Sequence, residues 1–342
     1  MRKLLNTLFV TSEESYLALE NENVTVWQGD EIKARYPLLM LEGIVSFSYR
    51  GASPALMGEC AKRGIALCFM TQNGRFLARV TGENNGNVLL RRQQYRLADS
   101  HASSCGIARN FILGKVYNSR WLVERTLRDH AMRVDADSLK NVSRQMADQM
   151  ETIGACTDLD ALRGLEGECA ARYFSVFDQM ILSQKKEFSF DQRNRRPPSD
   201  PVNAMLSLTY TLLANDCAAA LESVGLDAYV GFMHRDRPGR KSLALDLMEE
   251  LRPILSDRLV LTLINTREIQ PKHFRRQPGV VLLTDEGRKI LLGAWQSRKR
   301  EEFTHPYLKE KIAWGLAPYT QALLLARCIR GDLDGYPPLM WK

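Results

Sequence analysis

Short apolar runs separated by turn residues open the chain. LFV at 8–10, SYLALE at 15–20, VTVW at 24–27 and GIVSFS at 43–48 have the length and residue types of strands. Asn21 and Gly29-Asp30 stand between them, residue types that accept the backbone of tight turns. IALCFM and RFLARV flank Asn73-Gly74, a pattern that predicts a hairpin. One helix interrupts the strands. Ser53 caps it, Pro54 occupies the first turn, where its missing N–H costs nothing, and Gly64 closes it. The spacing predicts a mainly β first domain over residues 1–85.

After the polar stretch ENNGN at 83–87 the apolar positions recur at helical spacing, among Arg, Gln, Leu and Ala, as far as the C-terminus. The boundary falls there, and residues 86–342 are expected to form a larger all-α domain, which makes the fold class α+β. Within it, KKEFSFDQRNRRPPSDP at 185–201 breaks the periodicity with charge and proline and reads as a loop. Asp200 then caps a new helix that starts on Pro201. No internal repeat or low-complexity tract is visible.

Composition narrows the partners. The chain has 342 residues, 45% of them hydrophobic, enough for one large core or two domains. A formal charge of +7 and a pI near 9.0 favour a polyanion, because Lys and Arg gain by releasing counterions from phosphates. Charge alone does not separate nucleic acid from an anionic membrane surface. The seven cysteines are scattered, without a C-x-x-C pair or zinc-ligand spacing, and read as reduced residues of a cytoplasmic protein. The N-terminal MRKLLNTLFV is interrupted by Asn6 and Thr7 and reads as a first strand, not a signal peptide. No apolar run approaches the ~20 residues of a membrane span.

Three segments carry the acidic and imidazole groups: GLEGECAARYF at 164–174, GFMH at 231–234 and RPGRKSLALDLMEELRP at 237–253. In the third, Ser242 is expected to cap a helix on which Asp246 and Glu249 share one face. Glu250 then points about a hundred degrees away, toward solvent. Two stacked carboxylates repel unless a cation or base lies between them, and a hard divalent ion would satisfy them through oxygen. Each residue also has a plainer reading. Glu166 reads as a solvated helical charge, His234 as a packing histidine, and the Asp246–Glu249 pair as partners of Arg240, Lys241 or Arg252.

These segments resemble those of the CRISPR-associated integrase of the adaptation module, in its type I-C branch. DPVNAMLSLTYTLL at 200–213 and GLDAYVGFMHRDRPGRKSLALDLMEELRPIL at 225–255 carry the family signature, and GLEGECAARYF matches its earlier Glu-bearing helix. The resemblance covers essentially the whole chain. It implies a β-rich N-terminal dimerisation domain, a helical catalytic domain and a homodimer. Two such dimers flank a dimer of a small second core adaptation protein in a heterohexamer that captures double-stranded DNA. Glu166, His234 and Glu249 match the three metal ligands, for Mg²⁺ or Mn²⁺, although many relatives place Asp where this chain has Glu249. Asp246 matches a further acid with a supporting or second-metal role.

The implied reaction is transesterification, in which a prespacer 3′-hydroxyl attacks a phosphodiester at a CRISPR repeat. With water as nucleophile the same site is a nuclease. As a ligand His234 must be neutral, so activity is expected to fall as pH drops through the histidine range, about 6.5 for a free side chain. Arg237, Arg240 and Lys241 beside the third segment, Lys185, Lys186, Arg193, Arg195 and Arg196 in the proline-rich loop, and Arg298, Lys299 and Arg300 are candidate phosphate contacts. Two rival readings use the same residues: a general structure-specific metal-dependent DNase of repair intermediates, and a non-catalytic basic DNA-binding scaffold.

Overall fold

The structure is a computed structural model that describes residues 6–72, 75–82, 88–194 and 197–342. The expected turn at Asn73-Gly74, the polar boundary at 83–87, and Arg195 and Arg196 lie outside these residues.

The N-terminal elements are β1 (Thr7–Val10), β2 (Ser15–Glu20), β3 (Asn23–Gln28), β4 (Glu31–Pro37), β5 (Gly43–Ser46), α1 (Pro54–Arg63), β6 (Ala66–Met70) and β7 (Phe76–Arg79). They form an antiparallel sheet in the order β2-β3-β4 and a four-stranded sheet in the order β1-β5-β6-β7. In the second sheet β5 pairs in parallel with β1 and β6, and α1 makes the crossover that parallel β5 and β6 require. Ser53 accepts from Leu56 N–H, and Gly64 takes the left-handed backbone at φ 67°, so α1 begins and ends where its capping residues predict. β4 was not anticipated. Its sequence EIKARYP is polar and largely exposed, and it is recruited by pairing with β3.

Alternation along β5 and β6 joins two cores. Ile44 and Leu67 face Leu17, Val24, Leu56 and Cys60 in a small cluster beneath α1. Val45, Phe47, Cys68 and Met70 face the opposite way, into the large helical core.

That core is built from α2 (Val88–Asp99), α3 (His101–His130), α4 (Ala136–Ala155), α5 (Leu159–Ser175), α6 (Pro201–Ser223), α7 (Ser242–Glu249) and α8 (Arg258–Asn265), followed by α9 (Asp285–Arg300) and α10 (Ala317–Arg330). Asp200 caps α6, accepting from Asn203 N–H at 2.8 Å, with Pro201 in the first turn. α6 is long and apolar enough to cross a membrane by length and composition alone, but 67% of its most apolar window is buried inside the protein, as in a core helix. Two short antiparallel pairs interrupt the helices, β8 (Phe274–Gln277) with β9 (Val280–Leu283) and β10 (Glu302–Thr304) with β11 (Lys311–Ala313). Each is too brief to show an alternating pattern in the sequence. All seven cysteines are free.

Two of the expected phosphate contacts are corrected by the fold. Arg298 is buried over the Trp314 ring, 4.9 Å from its centroid, and Lys299 is buried in an ion pair with Asp216 at 3.1 Å. Both turn inward because α9 packs with that face against the core.

Candidate metal centre

Four elements bring the chemistry-bearing side chains together: α3, α5, the loop before α7, and α7 itself. α5 starts on Asp158, which accepts from Ala161 N–H at 2.7 Å, and carries Glu166 at mid-length. α7 carries Asp246 and, at its last residue, Glu249.

Asp246 organises the loop. Its fully buried carboxylate accepts backbone N–H groups from Phe232 at 2.7 Å, Met233 at 3.0 Å and His234 at 3.0 Å. Its Oδ1 also lies 2.6 Å from His234 Nδ1. A carboxylate accepts, so Nδ1 is the donor here, and in the neutral ring that leaves the lone pair on Nε2. Nε2 faces Glu249 Oε1 at 3.9 Å, beyond hydrogen-bond reach. The loop approaches this closely because residue 231 is glycine. A Cβ there would sit 2.8 Å from both Asp246 Oδ2 and Ser242 Cβ. From the other side Arg163 on α5 donates to the Met233 carbonyl through Nε at 2.9 Å and Nη2 at 2.7 Å, fixing the histidine loop to the helix of Glu166.

Glu249 is 3% exposed and surrounded by positive charge. Arg252 Nη2 lies 3.0 Å from its Oε1, and Lys115 Nζ, from α3, lies 2.8 Å from its Oε2. The Lys115 contact is a buried ion pair at Oε2. Lys115 also pairs with Glu166, so its ammonium lies between the two glutamates. Burial alone would raise the Glu249 carboxyl, but Arg252 and then Lys115 outweigh it and hold it down to about 2. For Lys115 burial favours the neutral amine, but Glu249 and Glu166 reverse the direction and raise it.

Two expectations for α7 fail. Ser242 does not cap the helix. Lys241 holds the cap position without a side-chain bond, while Ser242 Oγ donates to the Arg235 carbonyl at 3.2 Å. Glu250 does not reach solvent. It is fully buried against Gly114 of α3, where a Cβ would come within 2.8 Å of its own Cβ. Its carboxyl accepts from Tyr336 Oη, from Gln321 Nε2 at 2.9 Å and from Leu339 N–H at 2.7 Å. The reason is that the chain after α10 folds back over the end of α7, which no local spacing announces.

The structure thus draws Glu166, His234, Asp246 and Glu249 to one place. Among the described residues no three His, Cys, Asp or Glu side chains are already gathered closely enough to enclose an ion. The donor set nevertheless suits a hard divalent cation: two carboxylates that already share a cation, and an imidazole whose Nε2 faces one of them while its Nδ1 is held by Asp246. Lys115 and Arg163 were missed from sequence. Lys115 leaves a faint signal, a lone cation in the apolar helical run FILGKV.

The basic candidates divide. Arg237 is exposed in the loop beside the site, and Lys185 and Lys186 are exposed farther off. Arg240 is half-buried. Lys241 is engaged inward, 2.9 Å from Asn215 Oδ1 and 3.7 Å from the Phe76 ring centroid, and burial, then Arg79, push its ammonium down to about 8. Arg193 reaches Asn203 Oδ1 at 2.6 Å and Ser207 Oγ at 3.2 Å.

The architecture is shared with solved structures. A solved structure described as a casposase bound to integration product superimposes with a TM-score of 0.84 at 20% identity, over 98% of this chain and 94% of that one. The Cas6-RT-Cas1–Cas2 complex contains a chain that matches with a TM-score of 0.83 at 23% identity, over all of this chain and 36% of that one. The sequence is more specific. It is 51% identical over 347 residues, all of both chains, to the CRISPR-associated endonuclease Cas1 2 of Rhodospirillum rubrum. The profile of the family described as CRISPR associated protein Cas1 matches residues 8–297. The chain belongs to this Cas1 family and is an enzyme of the CRISPR-associated endonuclease class, which sets aside the reading as a non-catalytic scaffold.

Proposed function

We propose that the protein inserts new DNA segments into a CRISPR array by metal-dependent strand transfer, with Glu166, His234 and Glu249 as the ligands of Mg²⁺ or Mn²⁺. The observation that carries the reading is the buried Asp246 carboxylate, which binds three successive amides of the histidine loop and His234 Nδ1 at once. So rigid a hold on one ring, with its second nitrogen aimed at a buried glutamate, is how proteins prepare a metal-ligating histidine. Asp246 is therefore a residue that orients His234 and not itself a ligand.

A divalent ion between these groups would polarise the scissile phosphate and lower the pKa of the attacking hydroxyl. The chain's own residues supply the rest. Asp246 keeps the proton on Nδ1 and the lone pair on Nε2. Arg163 ties the histidine loop to α5, so that Glu166 and His234 move as one body. Exposed Arg235 and Arg237 lie on the open side, where a DNA backbone would approach. A DNA 3′-hydroxyl attacks a phosphodiester, one P–O bond forms as another breaks, and a new 3′-hydroxyl leaves. No external energy is consumed because one phosphodiester replaces another.

The partners follow the family. We assign the chain to the type I-C branch on the letters of residues 200–255, with residues 1–85 as the dimerisation domain, residues 86–342 as the catalytic domain, and a small second core adaptation protein joining two homodimers. The integration product bound to the casposase supports the strand-transfer reading, and the Cas2 present in the Cas6-RT-Cas1–Cas2 complex supports a small partner protein.

The test is transfer of a labelled duplex with 3′-hydroxyl ends into a supercoiled repeat-bearing plasmid, with the small partner and Mn²⁺ or EDTA. Joined product that requires metal and disappears in Glu166→Ala and His234→Ala is expected. Metal-dependent nicking without joining would reduce the protein to a plain nuclease of the repair type. Joining in EDTA would overturn the metal site.

A further inference from the structure

Lys115 and Arg252 are left unexplained by the metal reading, and of the two Lys115 bridges both glutamates. It extends from the middle of α3 into the protein, its side chain is 12% exposed, and its ammonium pairs with both Glu166 and Glu249. It holds apart the two glutamates that would have to converge on an ion. An ammonium there and a divalent ion between the same oxygens exclude each other by charge and by space.

The charges around the centre sharpen this. Glu166, Glu249 and Asp246 oppose Lys115 and Arg252, which leaves one net negative charge. With Lys115 withdrawn there are two net negative charges, which a divalent ion neutralises. The displaced ammonium is then left without a counter-charge, and a DNA phosphate supplies one. Arg252 cannot easily withdraw, since its guanidinium is stacked over the Tyr210 ring at 4.9 Å from the centroid. Lys115 can, because four methylenes give its head freedom to turn.

We propose that Lys115 is an internal counter-cation that competes with the metal for Glu166 and Glu249 and yields when a DNA phosphate arrives, so that metal and DNA load together. The proposal rests on the metal reading above and adds a regulated loading step to it. Free protein then binds metal weakly, and DNA strengthens that binding. A nuclease centre that fills only in the presence of a correctly seated backbone is restrained from stray cleavage.

The experiment measures Mn²⁺ binding by the electron paramagnetic resonance of the unbound ion, on the full chain with and without a short duplex, with duplex-only blanks. Lys115→Met keeps the length and removes the charge. It is expected to bind Mn²⁺ about tenfold more tightly than wild type without DNA, within the usual range of coupling between two sites, and to lose most of the tightening that DNA gives. Lys115→Arg keeps the charge and should retain weak, DNA-enhanced binding. Unchanged or weaker Mn²⁺ binding in a folded Lys115→Met would overturn the proposal, and Lys115→Gln gives the same reading if Lys115→Met does not fold. His234→Ala separates the two levels. If it loses Mn²⁺ binding the metal reading holds and the Lys115 variants decide the proposal, whereas wild-type binding by His234→Ala would end both.

Discussion

Glu249 and Glu250 are neighbours in sequence and both are buried, yet they belong to two regions of opposite character. Glu249 faces Lys115 and Arg252 and is held down to about 2. Glu250, on the other side of the same helix end, faces only the neutral donors Tyr336, Gln321 and the Leu339 N–H, and burial pushes it up to about 7 despite those bonds. The equal burial and unequal ionisation show that partner charge, not depth, decides which carboxylate is available to a cation. One region is a charged centre that needs compensation. The other is a hydrogen-bonded clasp that fastens the C-terminal segment to α3 and α7, completed by Asn118, whose Nδ2 donates to the Glu250 and Leu339 carbonyls at 2.7 Å each.

The sharpest way to break the comparison is to neutralise both residues in turn. Glu249→Gln should reduce strand transfer at least about a hundredfold, since residues that merely orient a ligand already cost about 10- to 100-fold. It should also destabilise the protein by about 3 kcal/mol in denaturant titration, because Lys115 and Arg252 lose a buried counter-charge.

Asp257 extends the comparison to a third buried carboxyl. It accepts from Tyr173 Oη at 3.0 Å and Tyr210 Oη at 2.6 Å, and burial raises it to about 6 in spite of them. Its folded value exceeds the unfolded one of about 3.9, so the folded state holds the proton more tightly, and stability is lost as pH rises between these values. The difference in unfolding free energy between wild type and Asp257→Asn should therefore shift by about 3 kcal/mol from pH 4 to pH 7, to the disadvantage of wild type at the higher pH. Glu249, being depressed, acts in the opposite sense and below that window, where its stabilisation disappears as pH falls from about 4.3 toward 2.

Glu250→Gln should lower stability by only about 1–2 kcal/mol, the cost of one mismatched hydrogen bond, and leave strand transfer near wild type. A large loss of activity would mean that the clasp and the charged centre are one unit. The smallest effect is expected at Arg237→Ala, which should weaken DNA binding evenly across sequences and reduce the slope of log affinity against log salt by about one.

The same contrast shows what the sequence could reveal. Strands with an apolar face and a helix with its own caps, such as β2 and α1, were legible because local chemistry determines them. Polar β4 and the brief β8–β9 and β10–β11 pairs were not, because their partners and not their side chains hold them. The site divides in the same way. The resemblance pointed to Glu166, His234 and Glu249, which the fold brings to one place, and helix geometry to the Asp246–Glu249 spacing. The environment of Glu250 depends on Tyr336 and Leu339, more than eighty residues downstream. Lys115 acquires its meaning only when α3 is laid against α5 and α7. Ser242 was read as a cap from its residue type alone, while the tight approach at Gly231 turned it toward the Arg235 carbonyl.

The central claim, that Glu166, His234 and Glu249 enclose one divalent ion, is tested most directly by anomalous diffraction at the manganese edge from crystals grown with Mn²⁺ and a DNA duplex. The account predicts one strong peak between these three side chains, with the Lys115 ammonium displaced from the glutamates. No peak there, or a peak elsewhere with Lys115 still bridging Glu166 and Glu249, would contradict it.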